Sequence, residues 1–98
     1  MGKVHSKLVT DSLTLLNSLP RCKAISITPG TYGSMRGISD ILGCKNSRFF
    51  AIEIKTGNDT MTAKQKRFHR EIHDAIGFTA TCYSIDEVKK AIILLNNS

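Results

Sequence analysis

RGISDILGCKNSRFFAIEIKTG, residues Arg36 to Gly57, is the stretch that decides the fold. Its second half, from Phe49 to Lys55, is apolar apart from Glu53 and Lys55, and strands of this kind exclude charge unless it is paired or holds a metal. In extended chain the side chains alternate with a period of two. Phe50, Ile52 and Ile54 therefore cover one face, and Phe49, Ala51, Glu53 and Lys55 share the other. A lone aspartate, Asp40, follows the Gly37 turn and is in reach of that second face from a neighbouring strand. Two carboxylates and one ammonium converging at the end of a sheet make a divalent-cation site with a cation built in. Such a set suits phosphodiester hydrolysis. An exposed edge strand with a salt bridge accounts for the Glu-x-Lys triplet alone equally well; the apolar strand, the preceding Gly-x-x-Asp and the following Thr-Gly turn favour the site.

Each residue type has its own reason. Mg²⁺ is hard, takes oxygen ligands and keeps several waters beside one or two carboxylates. Asp40 and Glu53 supply those, and the backbone carbonyl of Ile54 offers a third oxygen. The expected cofactor is Mg²⁺ or Mn²⁺, which lowers the pKa of a bound water and offsets charge on the phosphate. Lys55 is placed to orient the attacking water or to stabilise the developing oxyanion.

The pattern Gly37-x-x-Asp40, then Ile52-Glu53-Ile54-Lys55, then Gln65 a short way into a helix resembles the virus-type replication-repair nucleases (VRR-NUC). They are a branch of the PD-(D/E)xK superfamily. The resemblance covers nearly the whole chain. It implies a single nuclease domain over residues 1–98, an α/β fold with a restriction-endonuclease-like core, and a glutamine from the middle helix at the active site. It also implies a homodimer acting on branched DNA such as four-way junctions. The departure is in the first helix, where the family carries a glutamate. His5 falls at that register, and the helix's one carboxylate is Asp11, so either the third acid is dispensable or Asp11 replaces it. Imidazole suits Mg²⁺ poorly, so His5 is not expected to be its ligand.

Beyond that stretch the chain reads as α-β-β-β-α-β-α, giving a mixed central sheet flanked by helices. Val4, Leu8, Ser12, Leu15, Leu16 and Leu19 fall on one helical stripe that Pro20 ends. Cys22 to Thr28 reads as a strand with Ile25 and Ile27 on one face. Ile38 to Leu42 and Phe49 to Lys55 follow as a strand pair joined across Gly43 to Ser47. Thr62-Ala63-Lys64-Gln65 is a capping-box pattern opening a helix to about Ile76, with a core stripe of Phe68, Ile72, Ala75 and Ile76. Gln65 has two readings: a capping residue turned back on the helix start, or a group reaching the Asp40/Glu53/Lys55 cluster. His69 and His73 read as surface or rim residues. Phe78 to Tyr83 is a strand, and Ser84-x-x-Glu87 caps a last helix ending near Asn96.

Composition agrees with a nucleic-acid partner. The 98 residues carry a formal charge of +6, which suggests a polyanion. Trp is absent and aromatic residues make up 6%, so phosphate contacts are expected rather than base stacking. Lys64, Lys66, Arg67 and Arg70 surround Gln65 and suit phosphates; Tyr32, Ser34 and Arg36 precede Gly37 and are candidate DNA contacts. Three widely spaced cysteines without a Cys-x-x-Cys pair fit a reducing, cytoplasmic setting and disfavour a disulfide framework. No apolar run approaches a membrane span, and no small-molecule cofactor is indicated. A nucleic-acid-binding module of weak catalytic power is the alternative reading.

Overall fold

The computed structural model describes residues 3–27 and 37–97; Tyr32, Ser34 and Arg36 lie outside them. Its elements are α1 (Lys3–Asn17), β1 (Cys22–Ser26), β2 (Ile41–Lys45), β3 (Arg48–Ile54), α2 (Ala63–Asp74), β4 (Phe78–Cys82) and α3 (Ile85–Asn96). The fold is α/β, with a four-stranded mixed sheet in the order β1-β2-β3-β4 and three helices. The first three strands form an antiparallel meander, and β4 returns parallel to β3 after the α2 crossover. No helix among the described residues is long and apolar enough to cross a membrane.

The core grows from the β3 alternation. Phe50, Ile52 and Ile54 are buried against Leu16 of α1 and Val88, Ala91, Ile92 and Leu95 of α3, with Ala24, Ile41 and Cys82 from the other strands. Burying a side chain of this size stabilises by roughly 1.5–3 kcal/mol. On α1 the buried residues are His5, Ser12 and Leu16, with Leu8, Val9 and Leu13 partly covered, while Val4 is exposed. The expected stripe is thus rotated by about one residue at its start, because the helix turns His5 rather than Val4 toward the sheet.

Two further expectations need correction. On β1 it is Ala24 that faces the core, and Ile25 is exposed. The amide of Asn17 brackets Ala24, donating to its carbonyl at 3.0 Å and accepting from its N–H at 2.8 Å, which blunts an otherwise open sheet edge. The β2–β3 connection is also tighter than expected. The strand starts at Ile41, runs through Gly43 and pairs Lys45 with Arg48, leaving Asn46 and Ser47 as a two-residue turn. Both have positive φ, 50° and 72°, which is the primed turn geometry that matches strand twist. Gly43 reads as a breaker, yet here it admits a neighbour: a Cβ there would overlap the Phe50 ring and stand 2.6 Å from the Lys23 carbonyl oxygen.

α2 begins at a capping box in which Thr62 Oγ1 accepts from Gln65 N and Gln65 Oε1 accepts from Thr62 N. It ends at Asp74, with the backbone N–H groups of Ile76 and Gly77 donating to the carbonyls of His73 and Ile72. That closure leaves Ala75 and Ile76 exposed, so the inward stripe is Gln65, Phe68, His69 and Ile72. The loop before α2 is tied to β4 by Tyr83, whose hydroxyl donates to the Asp59 carbonyl at 2.6 Å.

Candidate active site

Register alone brings the two acids together. Ile41 pairs with Ile52, so Asp40 faces Glu53 one step beyond the end of the ladder. Asp40 Oδ2 accepts from the Ile54 N–H at 2.9 Å, which anchors the carboxylate against the end of β3. Glu53, 3% exposed, sits at the centre of the cluster. Its Oε2 accepts from Gln65 Nε2 at 3.0 Å and lies 3.5 Å from Lys55 Nζ. Glu53 and Lys55 project to the same side of the strand, as a period of two requires.

Gln65 fulfils both of its sequence readings at once. Its Oε1 closes the capping box with Thr62 while its Nε2 holds Glu53. A single amide does so because its acceptor and its donor are separate atoms.

The electrostatics are unbalanced. Burial, then the nearby Asp40 charge, pushes the Glu53 carboxyl up to about 7 against the opposing pull of Lys55. Its second oxygen, Oε1, is buried and has no hydrogen-bond partner among the described residues. An orphaned carboxylate oxygen next to a second carboxylate is a place for a cation. The donor set fits a hard divalent ion: two carboxylates and the Ile54 carbonyl, with waters completing the shell. Among the described residues no three His, Cys, Asp or Glu side chains form a preformed metal cluster. Mg²⁺, which usually takes only one or two carboxylates, does not need one.

The first helix enters the site through His5. Its Nε2 lies 3.0 Å from the Ile54 carbonyl oxygen and 3.3 Å from Asp40 Oδ2. A carbonyl only accepts, so Nε2 carries the hydrogen and donates. Asp11 is elsewhere: it is exposed and accepts from Lys7 at 2.9 Å one turn away, so the idea that it replaces the missing acid is corrected.

Two residues near the site escaped the reading of the sequence. His69 is buried rather than on the surface or rim, and its Nε2 lies 2.7 Å from the hydroxyl of fully buried Ser39. Its place one turn after Gln65, on the same inward stripe, was the available signal. His73 is exposed. Lys64, Lys66, Arg67 and Arg70 are all exposed on α2; Arg67 is 3.5 Å from Glu71, one turn along. Comparison with protein-family models, with curated proteins and with solved structures gave no match.

Proposed function

We propose that the chain is a Mg²⁺- or Mn²⁺-dependent DNA endonuclease of the VRR-NUC type, built on a restriction-endonuclease-like core. The observation that carries this reading is half-buried Asp40 facing buried Glu53, the latter with an unpartnered oxygen, beside Lys55 and Gln65. Asp40, Glu53 and the Ile54 carbonyl would hold the cation. When bound, it supplies Lewis acidity to the phosphate and to the attacking water.

The chain's own groups do the rest. Lys55 neutralises charge that develops on the phosphate oxygens, and its contact with Glu53 keeps the ammonium aimed at the site. Gln65 fixes the Glu53 carboxylate in one orientation. His5 holds the Ile54 carbonyl and Asp40 in place by donation. The exposed basic residues of α2, Lys64, Lys66, Arg67 and Arg70, contact the flanking phosphates.

One such site cuts one strand, so paired cuts on a two-fold symmetric substrate need two subunits. A homodimer acting on branched DNA follows, and α3 offers a surface for it. Ile93 and Leu94 are exposed there, whereas Val88, Ala91, Ile92 and Leu95 are spent in the core. The setting is the cytoplasm of a bacterial or phage-infected cell. Incubation with labelled linear, nicked, flap and four-way-junction DNA, under Mg²⁺, Mn²⁺ or EDTA, tests the reading. Cutting of the junction with either metal and none in EDTA is expected; a folded protein that binds DNA and never cuts it leaves only the binding-module reading.

A further inference from the structure

α2 meets the site at three points, and the nuclease reading uses only the first. Gln65 holds Glu53. Lys64 packs on Gly37, where an added Cβ would stand 2.7 Å from the Lys64 carbonyl oxygen. His69, four residues after Gln65 and therefore on the same helix face, reaches Ser39 at 2.7 Å. Residues 37–40 precede β2, and Asp40 ties them to the sheet, its carbonyl accepting from Ile27 N at 2.8 Å and its carboxylate from Ile54 N at 2.9 Å. The segment that carries Asp40 thus leans on α2 at Gly37 and is bonded to it at Ser39.

We propose that Ser39 and His69 are a positioning pair, through which α2 sets the placement of Asp40 relative to Glu53 and so the affinity of the site for a divalent cation. This rests on the nuclease reading of the two acids. Gln65 and His69 stand about 6 Å apart along one rigid helix, so Glu53 and the residue before Asp40 hang from the same rod. The two carboxylates repel each other, and Asp40 is held against that repulsion from β3 by the Ile54 N–H and from α1 by His5. The Ser39–His69 bond adds the restraint from α2, the same helix that holds Glu53. Both groups are buried, and burial lowers the pKa of the imidazole, which favours the neutral ring. A neutral ring and a hydroxyl satisfy each other whichever of them donates.

Mn²⁺ binding to the full chain, followed by titration calorimetry, tests the pair in Ser39→Ala, His69→Leu, the double variant and His69→Gln. Unfolding temperature is measured alongside in EDTA. Losing an outer-shell restraint typically weakens metal binding by about 10- to 100-fold. Each single variant is expected to bind at least about tenfold more weakly, and the double variant no more weakly than the worse single, since the two residues act as one unit. His69→Gln, which keeps a hydrogen-bonding atom at similar reach, is expected to recover most of the affinity. A pair that serves stability alone lowers the unfolding temperature and leaves the Mn²⁺ affinity of the folded variants unchanged; that result overturns the proposal. Ser39→Ala removes one oxygen and keeps the test decisive if His69→Leu does not fold. Unmutated protein that binds no Mn²⁺ sinks the nuclease reading and the pair's role with it, whereas unmutated protein that binds as well as every variant sinks the pair's role alone.

Discussion

Glu53 has a measurable consequence in the metal-free protein. Its carboxyl is raised from 4.5 to about 7 in the fold, so between those values the folded chain binds more protons than the unfolded chain. Stability from this group is present below about pH 4.5 and is lost as pH rises toward 7. Glu53→Gln removes that slope. In EDTA it should be more stable than the unmutated protein at pH 8, on the order of 2 kcal/mol, with the difference vanishing near pH 4. His69 titrates in the opposite sense, since burial lowers its pKa and its contribution fades as pH falls below about 6.5. Denaturant melts of the two proteins at matched pH cancel that background; a difference that grows as pH falls contradicts the assignment. The buried hydroxyl of Ser12 also has no partner among the described residues. Ser12→Ala should therefore stabilise by about 1 kcal/mol, and a loss of similar size would mean that a water or unseen donor satisfies it. At the reaction itself, Lys55→Ala should slow single-turnover cleavage by on the order of 10²-fold. An unaltered rate with weaker DNA binding would reduce Lys55 to a phosphate contact.

Among the elements, β3 was the most legible and β2 the least. The period of two placed Glu53 and Lys55 on one face, and the Thr62–Gln65 spacing announced the start of α2 with its capping box. The end of β2 was expected at Leu42 rather than Lys45 because Gly43 reads as a turn in isolation; only the Phe50 ring lying over it explains a glycine inside a strand. For the same reason Gly43→Ala should destabilise by about 1–3 kcal/mol through overpacking. The contacts of His5 with Ile54 and of Ser39 with His69 span 49 and 30 residues. No local pattern encodes such pairs, so Asp40, Glu53, Lys55 and Gln65 were legible in the sequence, but the contacts of His5 and of the Ser39–His69 pair were not. The end of α2 carries a strain of its own. Ile76, a β-branched residue 77% exposed, sits at φ 68°, a conformation L-residues adopt only at a cost. Ile76→Gly should raise stability by about 1 kcal/mol, read from thermal or urea unfolding. A decrease would show that the isoleucine makes a contact worth more than its strain.

At the scale of the whole molecule, charge and symmetry make separable demands. On the proposed function, the +6 chain should bind any duplex through phosphates, with an affinity that falls steeply as salt rises. Two sites held at fixed separation add a geometric filter that a linear duplex satisfies poorly. At moderate salt, a four-way junction should compete against excess linear duplex and be cut in opposing strands. Light scattering should report about twice the 10.8 kDa chain mass, and Leu94→Lys should halve it. A monomer that nicks flaps and junctions alike would remove the dimer and leave the nuclease.

The nuclease claim itself comes down to one measurement: single-turnover cleavage of labelled DNA by the unmutated protein, Asp40→Asn and Glu53→Gln, each in Mg²⁺, Mn²⁺ and EDTA. Either substitution removes a ligand charge and nearly keeps the shape, so DNA binding should persist or tighten as repulsion falls. The account predicts cutting by the unmutated protein in Mg²⁺ or Mn²⁺, none in EDTA and none by either variant. Cutting by both variants at the unmutated rate would contradict it.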